Sequence, residues 1–253
     1  MRQVCNVLSA ACVKSAEMIR EHFEFRQTIT TILADDPAHI AAAKAGMLSG
    51  RADLESYLRT DPFFGTSYSP VPAEPDAPLI VHRMADAAEE ACVGPMAAVA
   101  AAIAWAGVES MVASGASFGL IDNGGDIVFT APDRSVRVGL YAGDAPVSGK
   151  YAFVLQPAPG IRGVCTSSAT VGPSVSFGVA DAVVVFSHNP AKADAWATGL
   201  CNELRPTDVG ICIPEGTAVD GVYAVIGEWT SVWGTVPEIV PATVRYDMIT
   251  KGE

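Results

Sequence analysis

Two stretches of the chain set oxygen donors where a phosphate and a cation need them. Gly163-Val164-Cys165-Thr166-Ser167-Ser168 begins with a glycine and then offers three consecutive hydroxyls, Thr166, Ser167 and Ser168. A turn of that composition can aim backbone N–H groups and hydroxyls at one anion. Further on, Ala193-Asp194-Ala195-Trp196-Ala197-Thr198 spaces Asp194 and Thr198 four apart, so a helix stacks them on one face. A carboxylate and a hydroxyl are the hard oxygen ligands that Mg²⁺ prefers. Upstream, Asn123-Gly124-Gly125-Asp126 carries two adjacent glycines that let backbone approach a ring or a phosphate. Gly94-Pro95 starts a helix, and free N–H groups with the helix dipole favour an anion there.

Each segment also has a purely structural reading. Asp194 and Thr198 fit an exposed helix stripe, distinct from the apolar face marked by Trp196, Leu200 and Leu204. Thr166 to Ser168 fit a polar turn between strands. Asn123-Gly124 is a strong hairpin signal, and Gly94-Pro95 can be a simple kink. Cys165 has no histidine near it in sequence, since His22, His39, His82 and His188 are scattered. It therefore reads as a buried or pocket-lining thiol rather than a nucleophile, and no catalytic residue is assigned.

The charge balance decides which ligands need help. With 28 acidic and 16 basic residues the net charge is −12, the wrong sign for nucleic acid or for an anionic membrane surface. A phosphate-bearing ligand is repelled at long range as well, so its site needs a local cation, backbone amides or a helix N-terminus. Mg²⁺ is the expected cofactor. The six cysteines form no CxxC pair and no dense framework, which fits reduced thiols in a cytoplasmic protein. Leu8-Ser9-Ala10-Ala11-Cys12 looks superficially like a lipoprotein cleavage site, but Asn6 and Ser9 interrupt an apolar core that needs about 7–15 residues. The uncharged run from Ala91 to Val108 is broken by Gly94-Pro95, and it reads as a buried helix rather than a membrane span.

The elements that must position these residues are α+β in pattern, one domain over residues 1–253. Glu21 to Leu33 suggests a strand pair or one long strand. Asp35-Asp36-Pro37 opens a helical pair, to about Met47 and from Asp53 to Leu58, separated at Ser49-Gly50. Four prolines between Pro70 and Pro78 mark an extended connector near 70–78. A helix from about Met84 to Cys92 precedes one that starts at Pro95 and stops at Gly107. Phe118 to Ile121, Ile127 to Thr130 and Val136 to Tyr141 read as an antiparallel meander. Strands at Tyr151 to Leu155 and Ser174 to Phe186 lead to a helix from Pro190 to about Leu204 with Asn189 as N-cap. Strand character returns in the C-terminal part, 221–246, at Gly221 to Ile226 and Glu238 to Tyr246. Such runs favour a mainly antiparallel sheet with paired helices packed on one face.

Taken together, Gly94, Asn123 to Asp126, Thr166 to Ser168 and the Ala193 to Thr198 segment resemble the ApbE-like superfamily, whose best-known members are FAD:protein FMN transferases. The resemblance runs from about Leu79 to Leu204 and marks a soluble branch. It implies T-fold-like antiparallel sheets with a structural duplication. It also implies Mg²⁺ on Asp194 and Thr198 bridging a flavin nucleotide's pyrophosphate, with FAD or FMN bound near Gly124 and Gly125. Thr166 and Ser167 match the family's Gly-x-Ala-Thr-Ser-Gly segment. The family's Asp-Pro-x-Thr-Gly motif is missing, however: the corresponding stretch reads Val171-Gly172-Pro173-Ser174-Val175-Ser176-Phe177-Gly178. The expected function is Mg²⁺-dependent binding of a nucleotide or flavin with the reaction left open, a phosphoryl or nucleotidyl reaction on a smaller substrate being one reading. The alternatives are a non-catalytic flavin- or nucleotide-binding module and a true FMN transferase acting on a protein threonine. Whether copies form a homo-oligomer is left open.

Overall fold

The computed structural model describes residues 18–171, 177–205, 211, 213–244 and 250. A hairpin of β1 (Ile19–Phe25) and β2 (Thr28–Ala34) is followed by three helices, α1 (Pro37–Thr60), α2 (Leu79–Ala91) and α3 (Val99–Ala113). A 3₁₀ turn, Pro95–Ala98, runs directly into α3. Next come β3 (Gly119–Asn123), β4 (Asp126–Ala131), β5 (Val136–Gly139), β6 (Tyr151–Leu155), β7 (Ala158–Ser167) and β8 (Ala182–Ser187). Helix α4 (Pro190–Glu203) precedes β9 (Gly221–Ile226), β10 (Trp229–Gly234) and β11 (Glu238–Pro241).

The strands form two sheets, antiparallel throughout. Eight lie in the order β1-β2-β3-β4-β7-β8-β9-β10, and three in the order β11-β6-β5. The large sheet is laid down in two similar passages: hairpin β1-β2, helices, hairpin β3-β4, then hairpin β7-β8, helix α4, hairpin β9-β10. The expected duplication is therefore visible in the element order, with β4 and β7 pairing where the halves meet. Side chains alternate across the strands. Ile32, Ile121, Val128, Cys165, Val183 and Val185 face the helices. Leu33, Leu120, Phe129, Val164, Val184 and Phe186 face the smaller sheet. The result is three layers, helices, large sheet and small sheet, with a core on each side of the middle one.

Several sequence expectations need correction. The helical pair expected around Ser49-Gly50 is one helix of 24 residues, capped by Asp36, whose side chain accepts the Ala38 N–H. Its N-terminal signals are read correctly, but Gly50 and Gly107 lie inside helices because packing selects them. A Cβ on Gly107 would stand 2.5 Å from Ile121 Cδ1 and 2.8 Å from Met47 Cγ, so α3 continues past it to Ala113. The expected meander ends at β4, since β5 pairs with β6 in the small sheet. The supposed turn at Gly163 to Ser168 is largely strand: Thr166 and Ser167 pair with Val184 and Val183 of β8. Of the expected Ser174 to Phe186 strand only residues 182–186 belong to β8, residues 174–176 lying outside those described. Strand β10 was not expected. The stretch Pro95–Ala113 is apolar and long enough to cross a membrane; here Ala101, Ala102, Ala104, Val108 and Met111 are buried in the helix-side core.

Candidate functional site

The ends of β3, β4 and β7 come together beneath the facing starts of α3 and α4. Strand parity aims Asn123, Asp126 and Ser167 toward the helices, because Ile121, Val128 and Cys165, two residues away on each strand, lie in the helix-side core. The hairpin between β3 and β4 closes on Gly124 and Gly125, with φ of 70° and 107°. Only glycine adopts such values readily. Asn123 and Asp126 are the paired residues that flank this turn, so the turn sits one residue later than the Asn123-Gly124 signal implies.

Helix α4 lies close over β7 because Gly163 has no side chain: a Cβ there would be 2.8 Å from Pro190 Cα. Asn189 caps α4 as expected, its side chain accepting the Lys192 N–H at 3.1 Å. Asp194 is 6% exposed, which removes the reading of an exposed helix stripe. Its Oδ2 accepts the Ala101 N–H at 3.0 Å, at the N-terminal, electropositive end of α3. The Asn123 amide donates to the Ala100 carbonyl at 2.9 Å, fixing the same helix start to the glycine turn. Thr166 N–H donates to Asp126 Oδ1 at 3.2 Å, and the Ser167 and Thr198 hydroxyls share a hydrogen bond of 3.1 Å.

Electrostatics set this group apart. Burial pushes the Asp194 carboxyl well above the usual carboxylate range, and the charge of Asp126 pushes it further, against the pull of the Ala101 and Ala100 amides. Burial likewise raises Asp126 to about 7; the Thr166 amide opposes this and the Asp122 charge adds to it. The Asp126 charge acting on the buried Asp194 carboxyl disfavours ionisation of both near neutral pH unless a proton or a cation offsets it. Cys165 is fully buried beside them. Burial, then the charges of Asp126 and Asp194, raise its pKa well above the ordinary thiol value, and its Sγ–H reaches the Pro190 carbonyl at 3.7 Å. It stays a thiol because of burial and the neighbouring carboxylates, not for want of a basic group nearby, since the Asp126 carboxyl is hydrogen-bonded to it.

The structure thus brings Asn123, Asp126, Ser167, Asp194 and Thr198 to the facing ends of these elements beside the Gly124–Gly125 turn; Thr166 contributes its N–H, while strand parity turns its side chain toward the small sheet. Ser168 turns away into the next bend, where its Oγ accepts the Val171 N–H at 2.9 Å. Gly94 is seated against the connector, where a Cβ would strike the Ser67 carbonyl. Sequence reasoning missed the Ala100 and Ala101 amides, which carry no side-chain signal, and did not read Asp126 as the partner of Asp194. Its only clue was the alternation of Asp126 with Val128. Among the described residues no three His, Cys, Asp or Glu side chains form a metal-holding group, so a cation here would rest on two carboxylates completed by hydroxyl and carbonyl oxygens. A polar cleft of about 430 Å³ opens elsewhere, lined by Arg83, Asp86, Glu89, Glu90, Asn189 and Lys192. None of the expected site residues lines it. Two of its cations are already paired, Lys192 with Glu90 and Arg83 with Glu109.

The model of the family described as AbpE bacteria matches residues 10–215. The chain belongs to this family. Over the AbpE-family chain, a UPF0280 protein of Methanocorpusculum labreanum is 63% identical across 237 residues, 93% of this chain and 100% of the relative. A UPF0280 protein of Methanosphaerula palustris is 55% identical over 238 residues, 93% of this chain and 99% of the relative. Among solved structures, the flavin transferase ApbE from Vibrio cholerae is similar with a TM-score of 0.48 and 12% identity, covering 90% of this chain and 97% of that one. The ApbE-like relationship expected from the Asn123 to Asp126 and Ala193 to Thr198 segments holds for this AbpE-family chain.

Proposed function

We propose that the protein binds a flavin or another nucleotide through Mg²⁺ held between Asp126 and Asp194, with the Ser167 and Thr198 hydroxyls beside it. One observation carries this: beyond burial itself, the half-buried Asp126 of β4 raises the pKa of the buried Asp194 carboxyl of α4, in a chain of net charge −12. All the donors at that point are oxygen, the ligand set of Mg²⁺ rather than of a soft metal. When bound, the cation draws charge from a pyrophosphate. Around it, Gly124 and Gly125 leave room for the ligand, the α3 N-terminus orients Asp194, and the Thr166 amide orients Asp126. The flavin assignment rests on the family relation.

Calorimetry with Mg²⁺ in the presence of FAD or FMN tests the site. Asp194→Ala is expected to abolish metal binding, and equal affinity in wild type and variant rejects the assignment. The reaction is tested separately by offering a threonine-bearing acceptor protein with FAD. Covalent flavin on the acceptor indicates a transferase, whereas tight nucleotide binding without product indicates a binding module.

A further inference from the structure

The glycine turn of the site is anchored from the far end of the sequence. Thr250 is buried, and its hydroxyl donates to Asp122 Oδ2 at 2.7 Å. It also shares a hydroxyl–hydroxyl hydrogen bond of 2.9 Å with Thr31, which faces Asp122 across the β2-β3 ladder. The second oxygen of the same carboxylate, Oδ1, accepts the Gly125 N–H at 2.9 Å. Asp122 therefore has one oxygen on the turn and the other on Thr250. Rotation of its side chain would break both bonds at once, and a carboxylate held from both sides has little freedom to rotate. Gly124 and Gly125 have no side chains to hold the turn in place, so this carboxylate supplies the restraint. Residue 126 follows directly, with Asp126 bonded to Thr166. Thr250 lies beyond residues 10–215, which the family model covers.

We infer that Thr250 is a positioning residue for the site: by fixing Asp122 it holds the Gly124–Gly125 turn and, through it, the Asp126 carboxylate in place for a cation. The functional half of this statement rests on the proposed Mg²⁺ site; the structural half does not. The test uses the full chain with Thr250→Val, which keeps the side-chain shape and removes the donor, and Thr250→Ser, which retains the hydroxyl. Amide hydrogen exchange at Gly125 is followed in metal-free protein, and Mg²⁺ affinity by calorimetry. Thr250→Val is expected to speed Gly125 exchange by about tenfold, the scale of a lost hydrogen bond to a charged group, and to weaken Mg²⁺ binding severalfold. Thr250→Ser is expected to restore both. Unchanged Gly125 exchange in Thr250→Val, or no rescue by Thr250→Ser, overturns the inference. If Thr250→Val does not fold, Asp122→Asn provides the same comparison, since it keeps an acceptor for one partner but removes the charge; unchanged exchange there overturns it equally. If wild type binds no Mg²⁺, the functional proposal fails, while the exchange measurement still decides whether Thr250 holds the turn.

Discussion

Where the large sheet meets the small one, Phe186 and Tyr223 stand edge-on to Phe153, with ring centroids 5.0 Å and 5.4 Å away. On the helix side the same sheet presents Ile32, Ile121, Val128, Cys165, Val183 and Val185 to helices rich in alanine, and β3, β4 and β7 end there in Asn123, Asp126 and Ser167. The aromatic face fills space; on the helix face, Gly163 lets the backbones of β7 and α4 come close. A buried carboxylate is tolerable only if donors replace its water. Asp194 meets this condition because α3 and α4 approach closely enough for the Ala101 amide to reach it. Stability and site chemistry are thus assigned to opposite faces of one sheet.

Phe153→Ala is the strongest way to test that division. Phe153 is 1% exposed, so truncation is expected to cost about 3–5 kcal/mol in denaturant unfolding, with the Mg²⁺ affinity of the folded protein unchanged. A large loss of affinity would show that the faces are not independent. Gly163→Ala should cost less, about 1–3 kcal/mol as an overpacked contact. Unlike the first variant it should also weaken Mg²⁺ binding, because it lifts α4 off β7. If stability falls while affinity holds, the seat of α4 at Gly163 does not set the site.

A third test concerns acidity. Asp126 is raised in the folded chain from 3.8 to about 7, so folding takes up a proton between those values. Its contribution to stability is fully present below about pH 3.8, and it is lost as pH rises through about 7. In metal-free protein the stability difference between wild type and Asp126→Asn should therefore decline from pH 4 to 7. A flat difference would mean that Asp126 is better solvated than its neighbours imply.

The α4 side of the site was legible in sequence, because an Asn189 cap, a 3.6-residue period and the spacing of Asp194 and Thr198 are all local signals. Strand β7 was not: Thr166 and Ser167 look like turn residues until β4 and β8 are seen on either side of them. Gly50 and Gly107 were taken for boundaries because a glycine that ends a helix and one that admits a neighbour look alike in a single sequence. The placement of β5 in a second sheet, the Ala101 amide and the Thr250 contact are long-range facts with no local correlate. Residues 172–176, where the family motif is replaced, lie outside those described.

The bond between Asp194 and the Ala101 amide joins residues 93 apart in sequence. A ribosome adding about 5–20 residues per second therefore delivers the α3 start roughly 5–20 s, and the glycine turn roughly 3–14 s, before their carboxylate partner on α4 is added. During that interval the first hairpins and helices can form, but Asp194 and Thr198 of the proposed cation site do not yet exist. If that proposal holds, a chain that stops short of α4 has no such site to load, and metal occupancy would report that synthesis has passed α4.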